Sequence, residues 1–200
     1  MSFSTLKLLE LMDFNYPSIG PSNDNDISSI DGFSHKEKDL SESKQNLEDL
    51  NNFKEIFEFI KKTVKKILNR ERAGLMLILA DLPLKVGGFH GLGSNAIVMN
   101  RRLFEAVKEC AKTKLEKNSY VFIILLHEYL HSLGCIDERL TRRLVYDISN
   151  ELFGEDHLAT RMALDGMPKI FEKSRLQFKH IERSPEIIKE FDSSYTTYIH

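Results

Sequence analysis

Two hundred residues, 42% of them hydrophobic, suffice for one globular domain with an extension. A net charge of −2 from interspersed acidic and basic residues leaves no electrostatic footprint for a nucleic-acid partner. The apolar run Val121 to Leu126 is far too short to span a membrane, and the opening MSFSTLKLLELMDF lacks the basic start, apolar middle and small-residue cleavage site of a secretory signal, so a cytoplasmic location is expected.

In chain order, residues 1–50 read as an extension. Residues 3–14 place Leu6, Leu8, Leu9, Leu11, Met12 and Phe14 in a short amphipathic segment that could dock on the domain, on another subunit or on a partner. Residues 15–50 are rich in Ser, Asp, Asn and Lys, with too few large apolar groups to offset chain entropy, and are expected to be a disordered linker. A domain is expected over residues 51–191. It opens with a helix carrying Phe53, Ile56, Phe57, Ile60, Val64, Ile67 and Leu68 on one stripe, with Lys61-Lys62 and Lys65-Lys66 on a solvated face.

Ala73 to Ala80 is a short apolar run that predicts a buried strand. Lys85 to Asn95 holds four glycines, too many for regular structure, and Ala96 to Met99 returns to strand character. His90 in that glycine-rich loop reads as a surface residue. Asn100 can cap a helix over Arg101 to Thr113. Beyond the motif described below, a helix is expected from Asp137, its cap, to Phe153, with Leu140, Leu144, Ile148 and Leu152 as its core stripe. Gly154 ends it, and Glu155-Asp156-His157 opens another through Leu164. An amphipathic helix after Pro168 (Ile170, Phe171, Leu176, Phe178, Ile181) and a polar tail, residues 192–200, complete an α+β fold that is mainly helical with a small sheet. One of the two chain ends, with residues 192–200 the first candidate, is expected to lie in or near the cleft and to reduce activity.

The chemistry concentrates in YVFIILLHEYLHSLGCIDE, residues 120–138. His127 and His131 are four apart on an apolar helix and share one face, so two neutral imidazoles can bind one metal ion while Glu128, one step round, reaches a water. After Gly134 the chain reverses, and only the first turns of the next helix return to the level of the histidines. Glu151 would lie roughly 20 Å along that helix and His157 beyond its end, at 1.5 Å rise per residue. Glu138 is therefore the first candidate for a third metal ligand, with Asp137 the alternate. Cys135 lies beside this site and is expected to pack as a small apolar residue; with Cys110 it makes no disulfide framework.

HEYLHSLGCIDE resembles the zincin superfamily of metallopeptidases. HExxHxxG followed by an acid is similar to the metzincin branch, whose third ligand follows just past the glycine, where Asp137 stands here. The gluzincin branch takes a glutamate from the next helix. The resemblance implies a compact zincin-like domain holding one Zn2+ per chain, with Glu128 as general base in endopeptidase cleavage of a peptide or protein substrate. It further implies an edge strand that pairs with substrate backbone, for which Ala96, Ile97, Val98 and Met99 are the candidates by position, and a donor to the tetrahedral oxyanion. Candidate donors are His157, Tyr146, His180 and the tail tyrosines. Met162 or Met167 would occupy the place of the methionine turn, or simply fill core. The rival expectation is a non-catalytic zinc-binding regulatory or adaptor protein of the same fold, which would most simply have lost Glu128.

Overall fold

The computed structural model describes residues 47–166 and 183–192. The expected segment 3–14, the linker to residue 46, the helix after Pro168 and residues 193–200 of the tail lie outside the described residues.

The described chain mixes helices with a small sheet. Helix α1 (Phe53–Leu68) is followed by strands β1 (Met76–Ala80), β2 (Gly88–His90) and β3 (Ala96–Asn100), helices α2 (Arg101–Cys110), α3 (Lys114–Ser132), α4 (Glu138–Phe153) and α5 (Leu158–Asp165), and strand β4 (Glu186–Ile188). No helix among the described residues is long and apolar enough to cross a membrane.

Each helix starts where the sequence supplies a side-chain acceptor for an orphan backbone N–H. Asn52 accepts from the Glu55 N–H at 2.9 Å to open α1, and Glu55 reaches back to the Asn51 N–H at 2.8 Å. Thr113 does the same for Glu116 at the head of α3. The apolar stripe of α1 is buried as its spacing predicts, with Phe57, Ile60 and Val64 fully enclosed. Lys61 departs from the expected solvated face: it is 7% exposed and its Nζ lies 2.9 Å from Asp192 Oδ1. Asp192 also accepts from the Gly74 and Leu75 N–H groups, and the preceding Phe191 stacks on Phe57 at 4.2 Å. Asp192, assigned from sequence to the tail, is thus a buried anchor of the domain.

The sheet order is β2-β3-β1-β4, with β1 and β3 parallel and the two outer pairings antiparallel. Leu77, Leu79, Ile97 and Met99 turn inward and are buried against the helices. Two expectations change here. Lys85 to Asn95 is not wholly irregular, because Gly88-Phe89-His90 pairs with β3; and Ala96 to Met99 is an internal strand, paired on both sides, so β2 is the edge. Glycine is a poor strand former by propensity, and pairing with an adjacent apolar strand overrides that here.

Helix α3 is the central element. Phe122, Leu125, Leu126, Tyr129 and Leu130 are fully buried, and truncating any one of the leucines costs about 2–5 kcal/mol. Its other face, Tyr120, Ile123, Ile124, His127, Glu128 and His131, recurs at helical spacing and lines a cleft of about 430 Å3.

Candidate metal centre

The cleft lies between α3, the edge strand β2 and the head of α4, with Leu103 from α2 and Met162 from α5 contributing apolar wall. Chain reversal between α3 and α4 is tight. Gly134 adopts φ +96°, a conformation costly for any L side chain, and its N–H donates to the His131 carbonyl. Asp137 caps α4, accepting from the Leu140 N–H at 2.7 Å. One step on, Glu138 is delivered to the level of the histidines.

His127 Nε2 and His131 Nε2 are 3.0 Å apart, and Glu138 Oε2 lies 3.4 Å from the first and 3.2 Å from the second. Among the described residues these three form the one group whose ligand atoms converge as a metal requires. A tetrahedral zinc ion with bonds of about 2.0–2.1 Å holds its ligand atoms roughly 3.3 Å apart, so the observed triangle fits the ion, and the donor set of two imidazoles and one carboxylate suits it chemically. Asp137 is taken up by its capping bond instead. The Cys135 thiol, held up by burial, is not in the group.

Neighbouring contacts orient these three side chains. The His131 Nδ1 lies 2.6 Å from the Cys135 carbonyl, which fixes the tautomer that turns the Nε2 lone pair to the site. Arg142 donates to Glu138 Oε1 at 2.9 Å, so the carboxylate presents Oε2 to the imidazoles. The hydrogen bond from His127, with the charges of His127 and Arg142, pulls the Glu138 carboxyl down to about 2 against the opposing effect of burial.

Glu128 has the opposite environment. It is 4% exposed, and burial first and the Glu138 charge second push its carboxyl up to about 8, partly offset by the His90 backbone N–H. Its Oε2 is buried with no hydrogen-bond partner, which leaves an acceptor in the cleft wall without a donor.

Strand β2 lies directly on α3. A Cβ on Gly88 would sit 2.9 Å from the Val98 carbonyl oxygen, 3.1 Å from Ile124 and 3.3 Å from Glu128 Cγ, so only glycine permits this depth. The Asn100 N–H donates to the Gly87 carbonyl at 2.9 Å. With the register Phe89↔Val98, that phase directs the backbone groups of Phe89 to β3 and those of Gly88 and His90 to the free edge. His90 is not the free surface residue expected from sequence: its Nδ1 lies 3.0 Å from the Ala96 carbonyl, and its Nε2 lies 3.4 Å from Arg72 Nη1. Arg72 also donates to the Ser132 and Ser94 carbonyls, tying the end of α3 to the turn between β2 and β3.

The other candidate residues fall elsewhere. His157 caps α5, its Nδ1 accepting from the Ala159 N–H at 3.1 Å, and stacks on Phe153, so it does not reach the cleft lining to serve an oxyanion. Tyr146 packs against the core, and Met162 lines the cleft while Met167, His180 and the tail tyrosines lie outside the described residues. Ala96, Ile97, Val98 and Met99 are absent from the cleft lining, to which the sheet contributes its edge strand β2 instead. Sequence reasoning missed Arg142, Gly88 and Arg72. The first carried a readable signal, since Arg142 follows Glu138 by four on a helix.

Comparison of the chain with family models, with curated proteins and with solved structures finds no match.

Proposed function

We propose that the chain is a zinc-dependent metallopeptidase with a zincin-like domain, cleaving peptide bonds within an extended substrate. The observation that carries this reading is the triangle of His127 Nε2, His131 Nε2 and Glu138 Oε2 beside the orphaned Glu128 oxygen. Zinc, when bound, polarises a carbonyl and lowers the pKa of a water it holds. His127, His131 and Glu138 would hold it, leaving the cleft side open.

The remaining work falls to the chain itself. Glu128 Oε2, with its carboxyl ionised, accepts a proton from the attacking water and returns it to the leaving amine. The free edge of β2 aligns substrate backbone through the Gly88 N–H and carbonyl and the His90 carbonyl. Tyr120, Ile123, Ile124 and Met162 exclude water from the wall beyond the histidines. A non-catalytic zinc protein is the weaker reading because Glu128 is present and buried, with its Oε2 unpartnered in the cleft wall.

The test combines metal content with peptide-library cleavage for wild type and Glu128→Gln. Stoichiometric zinc in both and cleavage reduced by about 10²- to 10⁴-fold in the variant is the expected result. Absence of zinc from the wild type, or equal cleavage by the two, overturns the reading.

A further inference from the structure

The outer face of the sheet carries a continuous apolar row. Phe89 pairs with Val98, Val98 with Ile78 and Ile78 with Ile187, so one side chain from each of the four strands falls in line. Phe89 is 47% and Ile187 59% exposed. Parallel pairs such as β1 and β3 are ordinarily covered on both faces, and this face has no helix on it among the described residues. Met76, 38% exposed, and Ala96 lie on the same face beside this row, so the apolar surface does not stop within the sheet. It ends instead at the free edge of β2, beside the cleft.

We propose that Phe89 is a specificity-determining residue, selecting an apolar side chain on the substrate residue that comes opposite it when substrate backbone adds to β2 as a fifth strand. This rests on the reading of the cleft as a peptide-cleaving site. Because Gly88 and His90 direct their backbone groups to the free edge, an antiparallel fifth strand bonds to Gly88 and to the His90 carbonyl, and Phe89 faces its new neighbour across a non-hydrogen-bonded pair. Such pairs bring the Cα atoms to about 4.5 Å and the side chains into their closest contact. Gly88 points at Ile124 and Glu128, so Phe89 points to the opposite face, away from the metal-facing residues. The substrate is therefore read on both faces: one side chain in the apolar wall of α3, and its neighbour in sequence on the outer row. A segment with large apolar residues at consecutive positions satisfies both, and such segments are buried in folded proteins and exposed in unfolded ones.

The experiment compares peptide-library cleavage by full-length wild type, Phe89→Ser and Phe89→Lys, with zinc content measured for each. Wild type should show one substrate position preferring Val, Ile or Phe over Asp by about two- to fivefold. Phe89→Ser should flatten that position and Phe89→Lys should reverse it toward Asp or Glu, with zinc content and the neighbouring preference retained. Identical profiles for all three proteins overturn the proposal. Binding of labelled peptides with Val or Asp scanned through a polar host is read separately on chelator-treated protein. Wild type that lacks both zinc and cleavage sinks the metallopeptidase reading; Phe89 is then judged on binding, where equal affinity for both peptides, or no binding, overturns its role.

Discussion

Arg142 divides the two oxygens of Glu138, holding Oε1 at 2.9 Å and leaving Oε2 turned to His127 and His131. The pair is four residues apart on α4, so a helix turn sets the geometry and aims the carboxylate oxygen at the two imidazoles. Removing the guanidinium should free the carboxylate to rotate. Arg142→Ala is expected to lower zinc affinity by about 10- to 100-fold, with Arg142→Lys intermediate, in a competition titration against a chromophoric chelator. Unaltered affinity in Arg142→Ala would show that Glu138 needs no such support.

The adjacent acids should separate cleanly. Glu138→Ala and His131→Ala are expected to lose zinc while remaining folded, since the apolar face of α3 is retained. Asp137→Ala should keep zinc and lose about 1 kcal/mol of stability, because it removes the N-cap of α4. Elemental analysis and thermal melts check both; zinc lost from Asp137→Ala but kept by Glu138→Ala would reverse the assignment.

Glu128 makes the metal-free protein sensitive to pH. Its carboxyl is raised from 4.5 to about 8 in the fold, so the folded state favours the neutral form. The resulting stability is fully present below the unfolded pKa and is lost as pH rises through about 8. Chelator-treated wild type should therefore melt at lower temperature as pH goes from about 5 to about 8.5. Glu128→Gln should lack this contribution and be more stable at the alkaline end by on the order of 3 kcal/mol. Parallel melting curves for the two proteins across that range would dispose of the idea.

The anchor at Asp192 should be worth more than a surface ion pair. Asp192→Ala removes the carboxylate that meets Lys61 Nζ and two backbone N–H groups, and breaking a buried pair from one side costs about 3–5 kcal/mol. Chemical denaturation measures this directly, and a loss below about 1 kcal/mol would mean that Lys61 reaches water. The same contact decides how the tail is tested. A truncation meant to relieve inhibition has to begin after Asp192, since one beginning at it removes part of the core.

Much of the arrangement was legible because it is local. The spacing of apolar residues through Val121 to Leu130 specifies α3 and which face the histidines share, and Gly134 with the Asp137 cap specifies where α4 begins. Those two helices bring Glu138, rather than Asp137, to the imidazoles. What escaped the sequence is what depends on distant pairing. Strand β2 is hidden by its glycines, whose purpose is the close approach of Gly88 to Ile124 and Glu128 and not flexibility. Without β2, the strand Ala96 to Met99 reads as an edge. Lys61 looks solvated because Asp192, which satisfies it, lies at the opposite end of the described chain. His157 looks available for catalysis until its cap on α5 is seen.

The three metal-facing side chains all lie between residues 127 and 138, whereas the sheet closes only when β4 and Asp192 meet β1 and the backbone before it. The metal-facing group and the closure of the sheet are therefore completed at different moments of synthesis. Residues 127–138 are made before β4, the last strand among the described residues, and contacts between remote segments are the slower ones to form. The nascent chain should thus load its ion first and finish its scaffold last.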